Sequence, residues 1–136
     1  MPSTSAELVR RIYEEGLFDR HPDRLLALAA PDVEYVNPPE AVDSGTRRGA
    51  ADVAQAFQNL AGSFASFRHE LRELFDVGDC VVAWVDFCAQ SSASPQEIVQ
   101  KEAHTWTFRD NQIVRFEWGR DLDAALAAAK TRAASG

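Results

Sequence analysis

The chain has 136 residues, 46% hydrophobic, 26% charged and 10% aromatic, which is one domain's length and excludes disordered, collagen-like and low-complexity classes. Its net charge of −7, from 21 acidic and 14 basic residues, argues against nucleic acid as a partner, because phosphate binding needs clustered positive charge. No apolar run approaches the roughly 20 residues of a membrane span. The N-terminal segment has no basic and apolar signal regions, so no membrane partner and a cytoplasmic location are expected.

Thr4-Ser5-Ala6-Glu7 has the form of a capping box, a hydroxyl followed three residues later by a carboxylate. Behind it Leu8, Val9, Ile12, Tyr13 and Gly16 recur at helical spacing and predict a helix over about 5–18. Pro22 with Leu25, Leu26 and Ala29 predicts a second, short helix over about 22–30. Pro31-Asp32 breaks it, and 32–37 alternates as a strand ended by Pro38-Pro39. Residues 38–48 read as a loop, and a third helix follows Gly49, with Val53, Phe57, Leu60 and Phe64 at spacings of three and four. Four strands are predicted near 67–77, 80–90, 97–109 and 112–120, the last two joined by a tight turn at Asp110-Asn111. An Ala-rich helix over 122–130 closes the pattern, with 131–136 expected to fray.

Cys80 and Cys88 fall on one predicted strand, roughly 26 Å apart at about 3.3 Å per residue, so they cannot bridge within it. They read as buried thiols. Short connections between the later strands make that sheet antiparallel. The fold class is α+β: a curved, mainly antiparallel sheet wrapped around three N-terminal helices, a cone with room for a ligand inside.

Four ordered segments carry a family resemblance: Ile12 to Gly16 on the first helix, Ala30 to Pro38, Gly45 to Phe57, and His104 to Trp118 running on to Asp121. With these the chain resembles the SnoaL-like group of the nuclear-transport-factor-two-like, or ketosteroid-isomerase-like, superfamily. The resemblance implies a single SnoaL-like domain over 1–136 with an ordered core of about 5–130. It fixes no function, since isomerases, cyclases, epoxide hydrolases, dehydratases and binding modules share the cone.

Strand parity and the resemblance together give a candidate site. In relatives the position matching Asn37 faces the pocket, and Tyr35 shares its parity. Glu102, His104, Trp106 and Phe108 share one face of their strand. A β-bulge near Val114–Arg115, as in relatives, would turn Phe116, Trp118 and Arg120 inward. His104 matches a position that carries an acid or donor in several pocket enzymes of the superfamily. Asp121 matches the acid/base aspartate of SnoaL-type cyclases, although it is also placed to cap the last helix. These two are the expected catalytic residues. Asn37 stands where ketosteroid isomerases carry their basic aspartate, and an amide is no base, which removes that mechanism. Tyr13, Tyr35 and Asn37 are expected to orient a substrate oxygen, with Phe57, Trp84, Trp106, Phe116 and Trp118 as an aromatic lining. Asp86, a carboxylate on an apolar strand, is either functional or paired, for example with Arg120. His69 and His21 read as surface or capping residues.

The seven glycines form no Gly-x-Gly, and there is no His-Glu-x-x-His and no nucleophile elbow. No cofactor and no metal are therefore expected. The favoured function is a cofactor-independent isomerase, cyclase or dehydratase moving a proton next to a carbonyl of a small hydrophobic ligand. The alternative is a non-catalytic binding or association module. In either case a homodimer is expected through the outer sheet face, supplied by Val81, Ala83, Val85 and Phe87.

Overall fold

The computed structural model describes residues 4–41 and 44–135, with side chains as far as Arg132. The described elements are α1 (Thr4–Glu14), α2 (Leu17–Arg20), α3 (Pro22–Leu26), β1 (Ala29–Asn37), β2 (Gly45–Arg48), α4 (Ala50–Gly62), β3 (Ser66–Val77), β4 (Cys80–Gln90), β5 (Glu97–Arg109), β6 (Gln112–Gly119) and α5 (Leu122–Ser135).

The apolar stripe of α1 buries Ala6, Val9, Ile12 and Tyr13. The helix expected over 5–18 is two helices, because Gly16 takes the left-handed conformation (φ 66°, ψ 31°) and the chain restarts as α2. Glycine adopts that region without the steric cost of a Cβ. The expected loop over 38–48 contains β2, which pairs with β1 from Glu34↔Arg48 to Asn37↔Gly45. Its four residues are polar and largely exposed, so no apolar alternation announced it. Residues 42–43 of that loop lie outside the described residues. At the C-terminus, α5 runs to Ser135 where fraying was expected from 131; Gly136 lies outside the described residues.

The six strands form one curved, unclosed sheet in the order β2-β1-β6-β5-β4-β3. All neighbours are antiparallel except β1 and β6, which run parallel with Tyr35 beside Phe116. The β5–β6 hairpin turns on Asp110 (φ 52°) and Asn111 (φ 62°), residues that tolerate the left-handed region. Its register passes from Phe108↔Ile113 to Thr107↔Arg115, so Val114 is the extra residue of a bulge. Beyond it Phe116 stands opposite Trp106 and Trp118 opposite His104, all on the concave face.

The main core lies in that concavity. Val81, Ala83 and Val85 pack there with Val9 and Ile12 of α1, and all three are fully buried. Phe87, of the same parity, is 8% exposed. The four residues expected to form an outer association face are therefore inside. The cause is that β4 is covered on both sides: α1 lies on one face, and α5 covers Cys80 and Val82 on the other with Leu122, Ala125, Leu126 and Ala129. A strand apolar on both faces carries no parity signal. Cys80 and Cys88 are both buried and unbridged.

Candidate active site

Two buried histidines face each other from neighbouring parts of the concave face. On β3, His69 pairs with Phe87 of β4, which pairs in turn with Gln100 of β5. Four residues further along β5 is His104, fully buried beside Ala83. Phe18 of α2 packs edge-on to His69 at 4.6 Å and stacks on His104 at 5.9 Å between ring centres. It thus shields both rings from water on the helix side.

Each ring is held by its own set of hydrogen bonds. Trp106 Nε1–H donates to the Tyr13 hydroxyl oxygen (2.9 Å), and that hydroxyl lies 2.6 Å from His104 Nδ1. Burial pushes the Tyr13 phenol well above its ordinary value, so it stays protonated. Its proton then has one acceptor, His104 Nδ1. His104 therefore carries its own proton on Nε2 and donates it to Glu102 Oε1 at 2.8 Å. Burial pushes the His104 imidazole below its ordinary value despite the carboxylate beside it. Burial would raise the Glu102 carboxyl, but the His104 hydrogen bond, the adjacent His69 and the Gln100 amide (2.7 Å) outweigh it and hold it low. The pair is a neutral imidazole donating to an ionised carboxylate.

His69 is held the other way round. Its Nδ1 lies 2.6 Å from Asp19 Oδ1, and its backbone N–H donates to Asp19 Oδ2 at 2.8 Å. The carboxylate fixes the proton on Nδ1. Its Nε2 faces Glu102 Oε1 across 3.9 Å.

These groups line a cavity of about 540 Å³, within the range of small-molecule sites. One wall, from β3, β4 and β5, carries His69, Phe87, Gln100, Glu102 and His104; the other, from β1 and β6, carries Tyr35, Asn37, Phe116, Trp118 and, just past β6, Arg120. Phe18, Leu60 and Phe64 close the helix side, and Glu40 and Ala41 lie on the loop after β1. Trp118 Nε1–H donates to Asn37 Oδ1 at 2.6 Å, which turns the amide's two N–H groups away from the indole.

Of the residues expected in the site, His104, Tyr35, Asn37, Phe116 and Trp118 line the cavity. Tyr13 and Trp106 are buried behind it, Tyr13 committed to His104 and Trp106 to Tyr13. Phe57 is in the core against Tyr35 and Phe18. Asp121 does not line the cavity; its carboxylate accepts the Ala124 N–H at 3.1 Å and caps α5. Trp84 and Asp86 do not line it either, because they sit on the outer face of β4. Asp86 is paired there, with Lys101 and Arg72 at 2.7 Å each rather than with Arg120, and the Lys101 and Arg72 hydrogen bonds hold its carboxyl low. His69, read from sequence as a surface residue, is 7% exposed. Its parity with Phe67 and Leu71 on β3 was the available signal. Asp19 gave none, since its partner is 50 residues away.

The nearest donor atoms of His69, Glu102 and His104 lie within 4.8 Å of one another, a spacing that a divalent ion can bridge. An ion there would displace the His104 Nε2 proton and move the neutral ring's proton to Nδ1, which takes away the acceptor of the Tyr13 hydroxyl.

The fold is an α+β cone whose cavity gathers two histidines, two glutamates and an arginine among aromatic rings. The profile of the SnoaL-like domain family matches residues 9–116, and the chain belongs to that family. Solved structures agree on the fold. An NTF2-like protein of unknown function from Burkholderia pseudomallei K96243 superposes with a TM-score of 0.76 at 23% identity, over 92% of this chain and 96% of that one. TerC, co-crystallized with polyporic acid, gives 0.75 at 26% identity over 94% and 99%. A putative SnoaL-like polyketide cyclase from Jannaschia sp. CCS1 gives 0.73 at 18% identity over 93% and 91%. No curated protein matches the sequence. None of the described helices is long and apolar enough to cross a membrane.

Proposed function

We propose that the protein is a cofactor-independent enzyme of the isomerase, cyclase or dehydratase kind, moving a proton next to a carbonyl of a small hydrophobic substrate. The observation that carries this reading is His69 in the lining of an aromatic cavity, its ring oriented by Asp19 at Nδ1. Imidazole is the side chain suited to taking and returning a proton near neutral pH. His69 Nε2 removes the proton from the carbon beside the carbonyl. The imidazolium that forms is stabilised by Asp19 at Nδ1 and by the Glu102 carboxylate facing Nε2. The Asn37 N–H groups, on the opposite wall, donate to the developing enolate oxygen. The proton then returns from His69 to another atom of the same substrate, or to a leaving hydroxyl. His104, with both nitrogens engaged, holds Glu102 in its ionised state. The co-crystallization of TerC with polyporic acid supports a small molecule in this cavity.

Deuterium exchange of the C1 protons of 2-tetralone in heavy water, followed by NMR, tests the reading. The wild type should accelerate exchange over buffer, and both His69→Gln and Asp19→Asn should lose about a hundredfold or more. Binding of the ketone with no acceleration would instead mark a non-catalytic binding module. Exchange in His69→Gln as fast as wild type would remove His69 as the base.

A further inference from the structure

Arg120 is left over by the proton-transfer scheme. Eight other arginines each lie within ion-pairing distance of a carboxylate, as expected where acids outnumber bases 21 to 14. Arg120 has no ion pair among the described residues, yet it lines the cavity. The bulge at Val114 puts it there: the residues after it alternate inward at Phe116, Trp118 and Arg120. Continuing the β5–β6 register sets Arg120 opposite Glu102, whose carboxylate is already taken by His104 and Gln100. Glu40, the other carboxylate of the lining, likewise has no ion pair among the described residues.

Two kinds of donor therefore stand on the β1–β6 wall with no acceptor among the described residues: the Arg120 guanidinium and the Asn37 N–H groups, the latter turned from the indole because Trp118 occupies Oδ1. Guanidinium and amide both match a planar pair of oxygens. Six aromatic side chains share the lining, with Tyr35, Phe116 and Trp118 beside the donors and Phe18, Phe64 and Phe87 facing them. Neutral ligands leave Arg120 idle. An anionic ligand needs it, because the cavity already holds two carboxylates.

We infer that the cavity is built for a flat ring compound bearing an anionic, planar oxygen pair, a carboxylate or an ionised enolone, which is anchored on Arg120 and Asn37. This rests on the proton-transfer reading and gives it a substrate class: of the oxygen pair, one oxygen sits on Arg120, the one that takes up the enolate charge sits on Asn37, and the acidic carbon faces His69.

Matched probes test it. Tryptophan fluorescence and calorimetry would compare 1-hydroxy-2-naphthoate with its methyl ester, which has the same ring and no charge. The wild type should bind the acid about tenfold or more tighter than the ester. Arg120→Gln should abolish that preference by weakening the acid and leaving the ester unchanged, and Arg120→Lys should keep part of it. Arg120 is exposed, so neither change threatens the fold. 2-Hydroxy-1,4-naphthoquinone, ionised at neutral pH, should lose affinity in Arg120→Gln in the same way. Equal binding of acid and ester by the wild type, failure of the acid to bind at about 1 mM, or equal weakening of both in Arg120→Gln overturns the inference. His69→Gln separates the two readings. It should lose exchange and keep the acid preference, so loss of both refutes the subsite alone, and an intact preference with exchange unaffected refutes the base alone.

Discussion

Neither nitrogen of His104 is free to meet a substrate, and that follows from Tyr13. A buried phenol that already accepts from Trp106 has to place its own proton, and His104 Nδ1 is where it goes. Tyr13→Phe removes one atom and leaves two groups without partners, Trp106 Nε1–H and His104 Nδ1. A buried polar group left unmade costs about 1–3 kcal/mol, so with two of them urea denaturation should show a loss of about 2–6 kcal/mol, large for a change that keeps the ring. The same burial sets a pH dependence. His104 folds with its imidazole below the ordinary value, facing Glu102, Asp19 and His69, so the unfolded chain takes up a proton that the folded chain refuses. The stability from this site is complete above the unfolded value of about 6.5 and declines as pH falls below it. Glu102, also held low, adds a further loss as the pH falls through the usual carboxylate range. Urea midpoints should therefore drop from about pH 7.5 to about 5.5, and His104→Gln, which keeps a donor toward Glu102 without titrating, should flatten that drop. At this scale the sequence was partly legible. Asn37, Tyr35 and His104 followed from parity and resemblance. His69 did not, because β3 mixes charged and apolar residues on both faces, and proton states depend on partners that only the fold brings together.

Among the elements, the β5–β6 hairpin decides what the cavity contains. Strict alternation past Asp110-Asn111 would present Arg115 and Glu117 inward and put Phe116 and Trp118 outside. The core needs the reverse, and one extra residue at Val114 supplies it. The bulge was legible because the unbulged pattern is energetically poor on both faces at once. β2 was not legible, since a short polar edge strand has no period to read, and neither was the break at Gly16, since apolar spacing continues across it. Deleting Val114 removes the extra residue yet keeps Arg115 opposite Thr107 and Phe116 opposite Trp106, so Phe116, Trp118 and Arg120 still face inward. The deletion variant should therefore keep a cooperative unfolding transition, whereas Phe116→Ala should lose about 3–5 kcal/mol of core packing. Loss of the transition on deletion, with Val114→Ala unfolding normally, would mean that the bulge itself is needed to hold the register.

Across the whole molecule, the sheet has two sides with separate tasks. The concave side holds the main core and the cavity. The convex side holds a second, smaller core in which α5 covers Cys80 and Val82. Arg132 of α5 also reaches Glu117 of β6 at 2.8 Å. The cover lies on the side of the sheet away from the site. Its contacts to the sheet come from few large side chains, chiefly Leu122 and Leu126 among alanines. Leu126→Asp puts an unpaired carboxylate into that contact, which is unfavourable by several kcal/mol unless the helix lifts off. Lifting it uncovers Cys80, 1% exposed in the folded chain, and leaves Cys88, at the far end of the same strand, buried as before. In Leu126→Asp a thiol reagent should therefore modify Cys80 under native conditions and leave Cys88 unmodified, a contrast that peptide mapping reads directly. Naphthoate binding should persist, because His69, Glu102, Asn37 and Arg120 all lie on the other side of the sheet. Simultaneous labelling of both cysteines with loss of ligand binding would mean that α5 holds the whole domain together and is no local cover.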